Sequence, residues 1–203
     1  MKERFPNFLT HFEGCRMYAI LAEDDSDAEV LTAIVRRHFQ NDRLTIKKKG
    51  YDGCGGLCAK GARDIKTWAA AGIHRFIVCH DADAHPPAEI RRKVFDKVVN
   101  RSGQKDCCCI TVPVEEIEAW LIADETAINH VIPSFKFAGH RQPETIPNPK
   151  EWLVAESIAR NGKPRYSPKT FNEKVATHLR LDVVAKKCPS FQTFIECLNQ
   201  WAA

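Results

Sequence analysis

The sequence contains no long hydrophobic run and does not begin with a leader-like segment. None of its apolar stretches approaches the roughly 18 residues that a membrane-spanning helix needs. The stretch from Met1 to Gly14 mixes charged side chains with scattered phenylalanines, so it lacks the apolar core of a signal peptide. We therefore expect a cytoplasmic protein with no membrane partner.

The nine cysteines lack the paired CxxC motifs that are typical of a zinc site. Their number is odd, and a reducing compartment does not favour a disulfide framework. Cys54 and Cys58 lie four positions apart, whereas Cys107, Cys108 and Cys109 are consecutive and would alternate between the two faces of a strand. We expect free cysteines in the core, and we leave Cys54 and Cys58 open as redox or metal sites.

Neither the composition nor the net charge is extreme. Of the 203 residues, 44% are hydrophobic and 28% are charged, which is close to the globular average. Collagen-like, coiled-coil and wholly disordered classes are therefore excluded. The net charge of +4 is too small to demonstrate a nucleic-acid partner, and it does not oppose one.

Strand and helix signals alternate in the first half of the chain. Short buried-strand patterns begin at Met17, Leu44, Arg75 and Cys107, with amphipathic helical patterns between them. From Pro113 onward only helical patterns follow. The sequence predicts an α/β, Rossmann-like fold, in which helices flank a mainly parallel sheet and an α-helical C-terminal extension follows. We divide the chain into an N-terminal segment (1–16), an α/β core (17–112) and a helical extension (113–203) that packs on the core as a single structural unit.

Three local features lead to specific predictions. Residues 50–61 contain five glycines in twelve positions, which predicts a loop without regular structure. With Lys60, this loop is either a phosphate cradle or a flexible connection. Ser26 or Asp27 is predicted to cap the helix after the first strand, and one helix is predicted over 115–130.

Acidic side chains directly follow two of the predicted strands. Glu23 follows the first, and Asp81 with Asp83 follows the strand that begins at Arg75. Because parallel strands end at one edge and residues two apart in an extended strand end point the same way, we expect the three carboxylates to converge. Converging carboxylates repel one another unless a cation neutralises them, so Glu23, Asp81 and Asp83 are predicted ligands of Mg²⁺ or Mn²⁺. The alternative is that these acids are helix caps or solvated loop residues.

Two segments resemble the motifs of the TOPRIM domain, a fold shared by primases, topoisomerases and OLD-family nucleases. YAILAEDDSDAEVL (18–31) resembles its glutamate motif and FIVCHDAD (76–83) its DxD motif, and the match covers about residues 17–112. Three further segments resemble small TOPRIM-like proteins with a helical C-terminal half, which occur in anti-phage and mobile-element settings. They are VEEIEAWLIAD (114–124), PNPK (147–150) and CPSF (188–191).

The resemblance implies a Mg²⁺-dependent nuclease that acts on DNA or RNA in a defence or toxin-like role. Glu23 would then act on the metal or as a general acid or base, while Asp81 and Asp83 would hold the metal. Asp24 departs from the glycine that many TOPRIM proteins carry after the glutamate, and it adds an acid. The chain lacks the tyrosine-bearing domain of a topoisomerase and the zinc and helicase partners of a primase.

Two other functions stay open at this point. One is a non-catalytic binding or regulatory subunit that works with a partner ATPase from a neighbouring gene. The other is a different metal-dependent phosphotransfer enzyme that acts on nucleotides. A homo-oligomer is also left open.

Further residues near the predicted edge complete the candidate site. Asp27 and Glu118 are expected to support catalysis, with helix capping as an equal alternative for Asp27. Lys60 and Lys169 are predicted phosphate contacts, and the run Lys47–Lys49 either steers a nucleic-acid backbone or forms a solvated edge. His80 and His85 flank the acidic pair and are read as proton carriers, phosphate contacts or ordinary loop residues.

Overall fold

The computed structural model of the protein describes residues 17–201, so the predicted N-terminal segment 1–16 lies outside the described residues. Four strands form one parallel sheet in the order β2-β1-β3-β4, and helices cover both faces. The predicted fold class, a parallel sheet flanked by helices with a helical C-terminal extension, is confirmed. The strands are β1 (Tyr18–Ala22), β2 (Ile46–Gly50), β3 (Arg75–Cys79) and β4 (Cys108–Thr111).

Helices occupy most of the remaining described chain. A π-helical turn (Phe95–Val99) joins α3 to α4. Among residues 17–201, no helix is both long and apolar enough to cross a bilayer. The helices are α1 (Asp25–His38), α2 (Cys54–Ala70), α3 (Pro87–Val94), α4 (Asn100–Ser102), α5 (Glu118–Ile122), α6 (Glu125–Val131), α7 (Pro149–Glu156), α8 (Pro168–Ala176), α9 (Leu181–Lys187) and α10 (Pro189–Asn199).

The sheet separates two hydrophobic cores. All five residues of β1 are buried, because alternate side chains enter opposite cores. Tyr18 and Ile20 pack into the core that includes α1 and the C-terminal helices. Ala19 and Leu21 pack into the core formed with α2 and α3. The central strand is therefore fixed from both sides, which holds its carboxyl end in place.

The prediction of an irregular loop over residues 50–61 is wrong, because α2 begins at Cys54 and includes three of the five glycines, at positions 55, 56 and 61. A glycine costs a helix only about 1 kcal/mol relative to alanine. The glycines also serve close packing here. A Cβ atom on Gly56 would lie 2.0 Å from the carbonyl oxygen of Tyr51, and one on Gly61 would lie 2.9 Å from Val98 Cγ1.

Two predicted helix boundaries are also wrong, and an aspartate is the reason in each case. Asp24 is the N-cap of α1, since its Oδ1 accepts a hydrogen bond from the Asp27 N–H at 2.9 Å. The helix predicted over 115–130 is divided into α5 and α6. Asp124 separates them because its carboxylate accepts hydrogen bonds from the N–H groups of Thr126 and Ala127 and so starts a new helix.

The lysine run lies in β2, which is an edge strand of the sheet. Each lysine is engaged within the fold. Lys47 lies over the Trp68 ring, with Nζ 4.9 Å from the ring centroid. Lys48 Nζ lies 3.3 Å from Glu29, and Lys49 Nζ lies 2.6 Å from an oxygen of Asp64. The structure therefore uses these cations to cover the open edge of the sheet.

Two of the cysteines are not free. Cys109 of β4 and Cys197 of α10 form a disulfide, with their Cα atoms 6.2 Å apart. The prediction of unpaired cysteines is wrong for this pair, because α10 packs directly on β4 and brings residues from distant parts of the chain together. Cys79 and Cys188 are free and buried, as expected for core cysteines.

Candidate functional site: an acidic cluster at the carboxyl edge of the sheet

The carboxyl ends of β3 and β4 are held together beyond the last strand residues. The N–H of His80 donates to Thr111, that of Ala82 donates to Pro113, and that of Asp83 donates to Glu115, at 3.2, 3.0 and 3.3 Å. The loops after the two strands therefore continue side by side. This pairing carries the chain from β4 to α5, and it brings the first helix of the C-terminal half to the edge where β1 and β3 end.

Glu23 is anchored at both its backbone and its side chain. Its carbonyl oxygen accepts hydrogen bonds from the N–H groups of Tyr51 and Gly53 at 3.1 and 2.9 Å. Its Oε1 atom accepts from the Asp81 N–H at 3.0 Å and lies 2.8 Å from His80 Nδ1. Burial by itself would raise the pKa of Glu23, but the His80 and Asp81 contacts hold that pKa below its usual value.

Asp81 and Asp27 are the two acids whose charge the fold compensates least. Asp81 Oδ1 is buried and has no hydrogen-bond partner among residues 17–201. Burial raises the pKa of Asp81 well above its ordinary value, and the nearby charges of Asp27, Glu118 and Glu23 raise it further. Asp27 is 6% exposed, and burial, together with Asp24 and Glu118, raises its pKa to about 8. Asp27 is thus a buried acid, and the capping interpretation is excluded because Asp24 is the cap.

The helical half of the chain contributes Glu118, which is 3% exposed at the start of α5. Asn172 of α8 donates to Glu118 Oε1 at 2.8 Å and to Ser26 Oγ at 3.3 Å. The hydroxyl of buried Tyr166 donates to Asn172 Oδ1 and so fixes the orientation of the amide. Burial raises the pKa of Glu118 although the Asn172 bond acts in the opposite direction. The structure thus places this sequence-predicted acid in the same cluster as Asp81 and Asp27.

Asp83 differs from the geometry assumed in the sequence analysis. Strand β3 ends at Cys79, and Asp83 has a left-handed backbone with φ of 46°. The assumption that Asp81 and Asp83 extend from one strand end is therefore wrong. Asp83 is exposed and lines a cavity of about 370 Å³ together with His80, His85 and Lys93.

A second cavity, of about 590 Å³, opens beside the start of α1. One wall carries Asp24, Asp25 and Glu29, and the other carries Lys150 and Lys169 at the starts of α7 and α8. Among residues 17–201, the ammonium groups of these two lysines make no ion pair or hydrogen bond. The charges of Glu118 and Asp24 raise the pKa of Lys150 although burial lowers it.

The two predicted phosphate contacts have different outcomes. Lys169 lies in the cavity beside the acidic cluster. Lys60 lies on the exposed surface of α2, so the loop that it was expected to complete is absent. Lys150 takes a place that sequence reasoning had not assigned, although its motif, PNPK, had been noted.

The side chains that could bind a metal are not arranged as a preformed metal site in the described residues 17–201. Within the described residues 17–201, no set of three or more His, Cys, Asp or Glu side chains is arranged to hold a metal ion. The carboxylates of Glu23, Asp27, Asp81 and Glu118 are close enough to shift one another's pKa, as described above. The cluster is therefore a concentration of carboxyl groups, with Lys150 and Lys169 in the cavity beside it.

Fold and site together define the class of this protein. It is an α/β protein with a parallel sheet, a helical C-terminal half and a buried acidic cluster at the carboxyl edge of the sheet. The chain belongs to the family described as "Domain of unknown function (DUF4276)", whose model matches residues 22–199. Neither the comparison with curated proteins nor the comparison with solved structures finds a match.

Proposed function

We propose that this protein is a Mg²⁺- or Mn²⁺-dependent phosphodiesterase of the TOPRIM type that acts on nucleic acid. The observation that carries the proposal is the buried carboxylate cluster with the unpartnered Asp81 Oδ1. An uncompensated buried carboxylate is costly, and a divalent cation with oxygen ligands would neutralise it. The resemblance of residues 18–31 and 76–83 to the TOPRIM motifs supports the same chemistry.

The donor set fits a hard divalent cation, because every acid in the cluster offers carboxylate oxygens. Glu23 and Asp81, which the Asp81 N–H joins at Glu23 Oε1, would hold the ion, whereas Asp83 is exposed on the loop after β3 and is left out of the proposed ligand set. A bound ion of this kind polarises a phosphoryl oxygen and lowers the pKa of water. Asp27 and Glu118 would support the reaction as groups that hold or release a proton at the edge of the site, since burial raises the pKa of both.

The cavity beside α1 favours contact with a phosphate backbone. Lys150 and Lys169 face the acidic wall, and their ammonium groups are not engaged with other described residues. The lysines of β2, by contrast, are held by Glu29, Asp64 and Trp68. The lining of the cavity contains no aromatic ring on which a base could stack. We therefore expect binding through phosphates, with little dependence on base sequence.

The resemblance also supplies the biological part of the proposal. Small TOPRIM-like proteins with a helical C-terminal half occur in anti-phage and mobile-element settings. We propose a cytoplasmic defence or toxin-like effector, with a partner ATPase from a neighbouring gene as a component to test by copurification.

The test is a cleavage assay on single-stranded DNA, double-stranded DNA and RNA with increasing Mg²⁺ or Mn²⁺. We expect metal-stimulated cleavage by the wild-type protein and its loss in Asp81→Asn, which keeps the shape of the side chain but removes its charge. Asp106→Asn is the matched control, because Asp106 precedes β4 and therefore lies at the opposite edge of the sheet. Equal activity in Asp81→Asn and the wild type would contradict the proposal. Absence of cleavage with retained metal and nucleic-acid binding would favour the non-catalytic subunit.

Lysine variants test the substrate part separately. Lys169→Ala should weaken nucleic-acid binding and reduce its salt dependence, because a phosphate contact releases counterions when it forms. Lys60→Ala removes an exposed lysine outside this cavity and should leave binding unchanged. If the nucleic-acid affinity of Lys169→Ala depended on salt as strongly as that of the wild type, Lys169 would not be a phosphate contact.

A further inference from the structure

A chain of three side chains connects the surface of α3 with the acidic cluster. Lys93 Nζ lies 3.3 Å from His80 Nε2, and His80 Nδ1 lies 2.8 Å from Glu23 Oε1. Lys93 is exposed, whereas His80 is 2% exposed. The imidazole therefore lies inside the protein between a surface cation and the carboxylate that follows β1.

The partners of His80 define its tautomer. A lysine ammonium only donates hydrogen bonds, so Nε2 must accept and carries no proton. On the other side of the ring, Nδ1 lies 2.7 Å from the carbonyl oxygen of Asp81 and 2.8 Å from Glu23 Oε1, and both of these atoms are acceptors. Nδ1 must therefore carry the proton. The contacts at Nδ1 require a proton on that nitrogen, and the contact of Lys93 with Nε2 disfavours one there, so the two sides of the ring together define the Nδ1–H tautomer.

The two carboxylate oxygens of Glu23 consequently have different surroundings. Oε1 accepts from the Asp81 N–H and lies 2.8 Å from His80 Nδ1, whose proton it shares with the carbonyl oxygen of Asp81. Among residues 17–201, Oε2 accepts no hydrogen bond. Because both donors come from the segment directly after β3, they tie the carboxylate of β1 to the neighbouring strand. One oxygen is anchored and the other stays available for a ligand.

We propose that His80 and Lys93 are positioning residues that fix Glu23 with Oε1 against β3 and Oε2 free to bind a divalent cation. Lys93 acts through His80, because its ammonium keeps Nε2 as an acceptor and so reinforces the Nδ1–H tautomer. The effect on the cation rests on the proposed function, whereas the tautomer and the anchoring of Oε1 do not. Hydrogen-bond partners of metal ligands typically change metal affinity about 10- to 100-fold when they are removed.

The first measurement needs no metal. The ring ¹⁵N and ¹H chemical shifts of His80 report which nitrogen carries the proton. We expect the Nδ1–H form in the wild type and a weaker preference for it in Lys93→Met, where only the contacts at Nδ1 remain. Lys93→Arg keeps a donor and should retain the Nδ1–H form. Lys97→Met removes an exposed lysine four residues further along the same helical segment and should have no effect. An Nε2–H signal in the wild type would overturn the proposal.

The second measurement is the Mn²⁺ dissociation constant, taken from the electron paramagnetic resonance signal of free Mn²⁺. His80→Asn places an amide N–H near the position of Nδ1, whereas His80→Gln places it near Nε2, so only the first variant can still donate to Glu23. We expect His80→Gln to raise the dissociation constant about tenfold or more, and His80→Asn to stay closer to the wild type. Equal affinity in the wild type and His80→Gln would overturn the positioning role.

Two further results separate this inference from the proposed function. If the wild type binds no Mn²⁺, the proposed function fails, and the tautomer spectrum alone then supports or overturns the anchoring of Glu23. If His80→Gln does not fold, Lys93→Met provides the affinity test, because Lys93 is exposed and its removal leaves the core unchanged. Equal Mn²⁺ affinity in Lys93→Met and the wild type would overturn the role of Lys93.

Discussion

The buried acid Asp27 should make the protein less stable as the pH rises. The folded protein keeps the proton on Asp27 up to about pH 8, whereas the unfolded chain releases it near the ordinary value of 3.8. Between these values the folded state binds more protons than the unfolded state, so the free energy of unfolding falls with increasing pH. At about 1.4 kcal/mol per pH unit, full expression of this difference amounts to about 6 kcal/mol.

Asp27→Asn removes the charge while keeping the size of the side chain. Burial, Asp24 and Glu118 are the causes of the raised pKa, and none of them makes the stability of a variant with a neutral amide depend on pH. We therefore expect the variant to gain stability relative to the wild type as the pH rises, by several kcal/mol between about pH 4.5 and pH 8.5. Acids with a lowered pKa, such as Glu23, make the protein more stable as the pH rises. Because both proteins contain these acids, their contributions largely cancel when the two free energies of unfolding are subtracted.

Urea unfolding followed by tryptophan fluorescence at a series of pH values measures this difference directly, in metal-free buffer. Asp42→Asn is the control, since Asp42 is exposed and lies before β2, at the opposite edge of the sheet. The difference in free energy of unfolding between Asp42→Asn and the wild type should not change with pH. A change of less than about 1 kcal/mol between the two pH limits for Asp27→Asn would refute the reasoning, because a raised pKa requires a larger change.

Three further predictions concern the cluster and the fold. At pH 8, Mg²⁺ should raise the melting temperature of the wild type but not of Asp81→Asn. A Mg²⁺ concentration of 100 times the dissociation constant should raise the free energy of unfolding by about 2.7 kcal/mol. Asp124→Asn should lower the free energy of unfolding by about 2 kcal/mol at pH 7, because Arg180 lowers the pKa of buried Asp124. This loss should become smaller as the pH falls below 3.8, and urea unfolding at a series of acidic pH values measures it. In urea unfolding, Gly55→Ala should be neutral or stabilise by up to about 1 kcal/mol, whereas Gly56→Ala should destabilise because its Cβ would meet a backbone oxygen; the reverse order would contradict the assigned packing.

The order and type of most elements could be predicted from the sequence because their signals are local. The apolar run of β1 ends at an acidic segment, and the run of β3 ends in the same way, so a parallel sheet places Glu23 and Asp81 at one edge. The prediction held for the fold class because burial on both faces requires apolar side chains at every position of a central strand. The same reasoning identified Asp27 and Glu118 as acids near that edge.

The glycines of α2 show where local reasoning is insufficient. Glycine weakens a helix when the segment is considered alone, yet Gly56 and Gly61 are needed because Tyr51 and Val98 approach closely. Those contacts join different elements, so no window of the sequence contains them. The left-handed backbone of Asp83 has a similar origin, since its N–H is held by the loop after β4.

The sequence by itself determined that a parallel α/β sheet exists and that acids follow two of its strands. Only the tertiary structure decided how the charges are arranged around those acids. It paired the lysines of β2 with neighbouring groups, left Lys150 and Lys169 facing the cluster, and placed His80 between Lys93 and Glu23. The physical reason is that strand ends are set by local hydrophobic patterns, whereas electrostatic partners are set by contacts between residues far apart in the chain.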